Sequence, residues 1–199
     1  MPFSIFMAGS PGAGKTEFSR SFIENLISKN PPIKSVRIDA DEIKLIIPQY
    51  NGSNSCAIQG ASSLGVQKLF DFTLKHHQNV LVDEIFSELE YCREDVVRSF
   101  SRNRIVGIIY IYQDPLIAWK FTKIREKKEG RPIPKELFVN SFFASKENVN
   151  IVKKEFPEIK VFLVIKNYEN DIEKMHFNID NIDNFLTIPY TKNQLNNIL

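Results

Sequence analysis

Gly9-Ser10-Pro11-Gly12-Ala13-Gly14-Lys15-Thr16 sets a glycine, four residues and then Gly-Lys-Thr in one short run. Glycines let successive backbone N–H groups turn inward around an anion, a lysine adds a mobile positive charge, and a threonine hydroxyl can ligate a divalent cation. The chemistry is the grip of nucleotide phosphates. All eight residues are therefore expected to bind ATP, with Thr16 also a ligand for its Mg²⁺.

Three acidic positions compete for the metal and for proton transfer. Asp83 closes the apolar run Val80-Leu81-Val82, the place where such chains put a carboxylate that holds Mg²⁺ directly or through water. The plain alternative is an acid beside the next helix N-terminus. Glu84 follows directly, and an Asp-Glu pair after an apolar run is also how water-activating ATPases are built, so an ATPase or nucleotide switch using Asp83-Glu84 stands as a rival. Asp39 and Asp41 lie two apart, and an extended chain would turn both toward one pocket. A carboxylate opposite the phosphate loop could accept the proton of an acceptor hydroxyl.

Lys120, Lys123, Arg125, Lys127, Lys128 and Arg131 make a local basic stretch. The lysines, laced with Glu126 and Glu129, read as a solvated helix face. Arginine differs, because a planar guanidinium bridges phosphate oxygens and can meet the charge that develops in phosphoryl transfer. Arg125 and Arg131 are thus expected on a lid, with Gly130, Pro132 and Pro134 as its movable end. Trp119 reads as packed beneath this helix, and His76, His77 and His176 receive no role.

The elements that must position these groups alternate. Phe3 to Ala8 reads as a strand, and Lys15 to about Ser28 as a helix stopped before Asn30-Pro31-Pro32. A strand over 33–38 follows, then a flexible Asn-, Ser- and Gly-rich loop over 49–63 that could line a cleft. Val66, Leu69, Phe70, Thr73 and His77 recur at helical spacing before the strand at 80–84. Val96, Val97 and Phe100 mark a further amphipathic segment, and Ile105 to Tyr112 reads as a central strand. A helix over 116–128, another carrying Phe138, Phe142, Val149 and Val152, a strand over 160–166 and a short last helix capped by Thr191 complete the chain. The expectation is an α/β phosphate-loop fold, a mostly parallel sheet with helices on both faces. Residues 1–199 form one domain, with 167–199 a C-terminal extension.

Composition narrows the partners. The 26 basic residues nearly balance 24 acidic ones for a net charge of +2, so no global field gathers nucleic acid or anionic membrane. No apolar run is long enough to span a bilayer. Cys56 and Cys92 lie far apart without metal-type spacing and read as free thiols of a reducing, cytoplasmic setting.

Together these segments resemble the zeta toxin family of phosphate-loop kinases. The resemblance rests on Gly9 to Thr16, on Ile38-Asp39-Ala40-Asp41-Glu42 with Pro48 downstream, on Val80 to Ser87, and on Arg125 and Arg131 followed by Ile133-Pro134 and Phe138. It covers roughly residues 3 to 155. It implies ATP-dependent phosphorylation of a sugar hydroxyl of UDP-N-acetylglucosamine, with Asp41 as base, Lys15 and Thr16 on ATP and Mg²⁺, Asp83 supporting the metal, and Arg125 and Arg131 gripping phosphates. It also implies an antitoxin as a protein partner, although no antitoxin segment is visible within the chain. Glu84 and Ile85 depart from the family's usual Gly and Thr at these places. The acceptor is accordingly a nucleotide sugar or another small metabolite.

Overall fold

Strands alternate their side chains, so β1 (Phe3–Ala8) sends Phe6 and Ala8 into one core and Met7 into another. A strand apolar on both faces must be covered on both. The computed structural model describes residues 1–199. It places β1 beside β3 (Asn79–Asp83) and β4 (Ile105–Tyr112), with β2 (Ser35–Asp39), β5 (Lys160–Lys166) and β6 (Ile172–Phe177) completing the order β2-β3-β1-β4-β5-β6. The first five strands run parallel and β6 joins antiparallel at one edge.

Helices cover both faces. The larger core joins Phe6, Ile38, Val80, Ile108 and Leu163 from the sheet to Phe70 and Leu74 of α3 (Ser55–Lys75), Cys92 and Val96 of α4 (Leu89–Phe100), and Val149 and Val152 of α6 (Lys135–Glu155). On the opposite face Phe18, Phe22 and Ile23 of α1 (Lys15–Ile27) pack on Met7, Leu81, Ile109 and Val164. A third cluster lies under α5 (Pro115–Glu129), where Ala118, Phe138, Phe142 and Leu195 meet. Trp119 packs on Phe138 with ring centroids 5.0 Å apart.

Two local expectations change. Residues 55–63 are not part of a loop but the first turns of α3, because Ile58, Ser62, Phe70 and Leu74 fall on one buried helical face and no proline interrupts them. Only the segment between α2 (Ala40–Leu45) and Ser55 lacks regular structure apart from turns. His77, placed on the helix by spacing, lies beyond its end with a left-handed φ of 53°.

The segment after Asn167 contributes to the same body. The Asn167 side chain accepts the N–H groups of Glu169 and Asp171, making the turn into β6. Farther on, Thr191 and Gln194 form a reciprocal capping box at the start of α7 (Lys192–Ile198). Leu195 of α7 is wholly buried against the α5–α6 cluster. Leu195→Ala should therefore destabilise the protein by about 2–4 kcal/mol; urea denaturation measures this, and a loss below about 1 kcal/mol would show that α7 does not support that core.

Candidate active site at the carboxyl edge of the sheet

The parallel strands end along one edge, and the loop from β1 into α1 crosses its middle. Gly14 caps α1 with a left-handed φ of 81°, which leaves the first helical N–H groups open to an anion. The loop is held from both sides. Gly9 N–H donates to the Ile85 carbonyl at 3.2 Å, while a Cβ on Gly12 would lie 2.2 Å from the Ala118 carbonyl of α5. The base of α5 thus rests directly on the phosphate loop.

Lys15 is buried, and its Nζ donates to the carbonyls of Gly9 and Ser10 at 2.9 and 2.8 Å. Burial brings its pKa down to about 8, with the Arg125 charge acting the same way and Asp83, Asp41 and Asp39 opposing it. The ammonium folds onto the loop's own carbonyls, in the space the loop encircles.

On one side of the loop, β2 and β3 end in register at Asp39 and Asp83. Arg37 lies between the two carboxylates, its Nη2 2.5 Å from Asp39 Oδ2 and 2.7 Å from Asp83 Oδ2. Its Nε donates to Ser19 Oγ at 2.8 Å, and that hydroxyl donates to Asp83 Oδ2 at 2.9 Å. Asp83 Oδ1 has no protein partner. No three acidic, histidine or cysteine side chains gather to make a metal site of their own.

Asp39 and Asp41 part company. The chain turns helical at Ala40, and the Asp39 carboxylate accepts the Asp41 N–H at 2.8 Å as the cap of α2. The two carboxylates therefore do not share the one pocket that an extended chain would give them. Burial and the neighbouring Asp83 raise the Asp39 pKa, against the Asp41 N–H and Arg37.

Asp41 turns toward the lid. Arg125 Nη2 donates to its Oδ2 at 2.9 Å, the Arg131 guanidinium pairs with its Oδ1, and Lys44 Nζ stands 3.6 Å from Oδ1. Burial works against ionisation here, yet the Arg131 hydrogen bond and charge, with Arg125 and Lys44, hold the carboxyl below its ordinary pKa. Glu129 Oε2 braces both arginines, at 3.2 Å from Arg125 and 3.3 Å from Arg131. Arg131 Nε is buried without a partner. By contrast Lys120, Lys127 and Lys128 are exposed, and Lys123 pairs with Glu126 at 2.7 Å and lies over Trp119.

Glu84 sits inward of this edge. Its Oε1 is buried with no hydrogen-bond partner. Burial, then the charges of Asp95 and Asp83, raise its pKa to about 8, with Lys15 opposing. Burial thus favours its protonated form, which polarises water less well than a carboxylate.

Sequence reasoning brought Lys15, Asp41, Asp83, Arg125 and Arg131 to one edge, and they do gather there. It missed Arg37, Ser19 and Lys44. The signals existed: Arg37 is two residues before Asp39 on a strand and so shares its face, and Lys44 is three after Asp41 on a helix.

Fold and loop together define a phosphate-loop kinase-type α/β protein. A zeta toxin family model matches residues 1–180, and the chain belongs to the zeta toxin family. No curated protein sequence matches it. Among solved structures, one described as part of the PezAT chromosomal toxin–antitoxin system of Streptococcus pneumoniae aligns with a TM-score of 0.67 at 18% identity, over 88% of this chain and 71% of that one. A chain of the AvrRxo1-ORF1:AvrRxo1-ORF2 complex solved with ATP gives a TM-score of 0.67 at 16% identity, over 93% of this chain and 62% of its own length. A putative kinase from Chloroflexus aurantiacus gives 0.54 at 14% identity, over 70% and 74%. At these identities the likeness is one of fold.

The lowered pKa of Lys15 has a measurable sign. An anion in the loop favours the charged ammonium, so binding should take up protons above about pH 8, and MgATP affinity should fall as pH rises through that value. Titration calorimetry in buffers of differing ionisation enthalpy checks this; proton release on binding at pH 8.5 would contradict it.

Proposed function

We propose that this chain is an ATP-dependent kinase that transfers the γ-phosphoryl group to a hydroxyl of a small acceptor, with a nucleotide sugar such as UDP-N-acetylglucosamine the leading acceptor. The observation that carries the reading is the Asp41 carboxylate, held by both lid arginines and close enough for its charge to bear on Lys15. A base, two mobile cations and a phosphate loop meet at one edge of the sheet. The nucleotide-sugar acceptor rests on family membership alone. An antitoxin as protein partner belongs to the same reading, supported by the toxin–antitoxin system to which the pneumococcal structure belongs.

In this mechanism Lys15 leaves the Gly9 and Ser10 carbonyls for the β and γ phosphates. Arg125 and Arg131 exchange Asp41 for phosphate oxygens, where they meet charge developing in the transition state. Released from the arginines, Asp41 becomes a stronger base and accepts the proton of the acceptor hydroxyl. Mg²⁺, when bound with the nucleotide, would supply further charge neutralisation at the phosphates, with Thr16 and Asp83 holding it. Asp83 stays oriented by Arg37 and Ser19.

The rival ATPase reading asks Glu84 to activate water, and burial, which favours its protonated form, weighs against that. Incubation with MgATP and a panel of nucleotide sugars should give an acceptor that gains the mass of one phosphate; ATP consumption with no phosphorylated acceptor across a broad metabolite panel would sink the kinase reading. Glu84→Gln should keep acceptor-dependent transfer within about threefold, since an amide of the same shape fills its buried place, whereas Asp83→Asn should lose about a hundredfold. The opposite ranking would favour the hydrolase.

Asp41→Asn gives a two-sided result. Transfer should fall by about a hundred- to ten-thousandfold. MgATP should bind roughly two- to tenfold tighter, because the ion pairs that hold Arg125 and Arg131 away from phosphate are weakened. Undiminished transfer would remove Asp41 as base, and weaker ATP binding would show that the arginines do not exchange partners.

A further inference from the structure

The carboxyl edge has a second side. Across the phosphate loop from Asp39 and Asp83, β4 and β5 end at residues that the kinase reading leaves unused: Gln113, Lys166 and the turn containing Asn170. Lys166, the last residue of β5, is only 8% exposed. Its Nζ donates to Asn170 Oδ1 at 3.0 Å, and no carboxylate lies within ion-pair distance of it. An ammonium carries three donors, so two are unused. Burial lowers its pKa from the lysine value, with the charges of Glu17 and Asp171 opposing. A buried cation without a counter-charge is costly unless something pairs with it.

Its position shows what that partner is. A Cβ built on Gly14 would lie 2.2 Å from Lys166 Nζ and 3.3 Å from Asn170 Oδ1. The ammonium rests against the glycine that caps α1, beside the helix's open N–H groups. Gly14 also holds a left-handed φ of 81°, which L side chains rarely adopt, and the ammonium fills the space beside its Cα. Lys15 feels the charges of Asp83, Asp41 and Asp39, which lie on the side of the metal and the acceptor. Lys166 approaches from the opposite side, over β5. The turn that presents it is tied to the end of β4: Asn170 takes a left-handed φ of 70°, and buried Gln113 donates to the Asn167 carbonyl at 3.0 Å and to Asn170 Oδ1 at 3.5 Å.

We propose that Lys166 is a second nucleotide-binding cation, which meets the nucleoside-proximal phosphate from outside Gly14 while Lys15 meets the distal phosphates from within the loop. Asn170 is its positioning residue, and Gln113 locks the turn that carries Asn170. The inference rests on the ATP reading above and adds the side on which the nucleoside lies, over β4 and β5.

Calorimetric titration of the full chain with ATP and with ADP, in the absence of acceptor, tests it. Lys166→Met should weaken both nucleotides roughly tenfold or more, because both carry the phosphate it meets and a charge-assisted contact is lost. Lys166→Arg should restore affinity to within about threefold, and Asn170→Ala should cost less than Lys166→Met while leaving the charge in place. Equal weakening by the Arg and Met variants would make Lys166 a packing residue, and a loss confined to ATP would overturn the nucleoside-side placement. Should Lys166→Met fail to fold, the Arg and Asn170→Ala variants decide: the proposal fails if Asn170→Ala leaves both affinities unchanged. A wild-type chain that binds ATP, loses it in Lys15→Ala and keeps it in Lys166→Met overturns this inference alone. A wild-type chain that binds no ATP overturns the kinase reading with it.

Discussion

One guanidinium between two carboxylates holds the acidic side of the site together. Parallel pairing of β2 with β3 brings Asp39 and Asp83 opposite one another, and two buried negative charges so close would repel. Arg37 answers both and also reaches Ser19 of α1, so strand, strand and helix share one charge-balanced node. Removing one partner of a buried set of this kind typically costs about 3–5 kcal/mol, because the remaining charge is left uncompensated. Asp83 is thereby fixed through Oδ2 alone.

A second charge node, separate from the first, spans the lid. Asp41, Arg125, Arg131, Lys44 and Glu129 join α2 to the far end of α5, across the mouth of the phosphate loop. Its components stand on different backbone. Asp41 sits on a short helix capped by Asp39, whereas Arg131 follows Gly130, which ends α5 in a left-handed turn. In the proposed kinase, an incoming polyphosphate offers these guanidinium groups more negative charge than one carboxylate does.

Beneath the loop run Glu84 and Ile85, and the structure gives each a place. The Ile85 carbonyl receives the Gly9 N–H, so any residue could serve through its backbone. Glu84 instead buries a carboxyl near enough to Lys15 to feel its charge, with one oxygen unpartnered. Phe86 next to them is buried at a left-handed φ of 65°, and the Asn148 side chain donates to its carbonyl at 3.1 Å. A bulky residue in that conformation needs its surroundings to hold it there, which ties the β3–α4 connection to α6.

The sequence by itself determined the phosphate loop, the alternation of strands and helices, and the basic lid segment, because each is written in local spacing: glycines and Lys-Thr within eight residues, apolar runs of strand length, and arginines around a Gly-Pro break. It also brought Asp83 and Asp41 into consideration through their places at strand ends. Only the tertiary structure decided what those carboxylates touch. Asp39 and Asp41 look equivalent in a string, yet a helix starting at Ala40 sends one to Arg37 and the other to the lid. Arg37, Lys44 and Lys166 are single basic residues far apart in the chain, and their meaning comes from strand order. Parallel pairing by crossover connections places residues 37 and 83, or 14 and 166, side by side, and no local pattern records that neighbourhood.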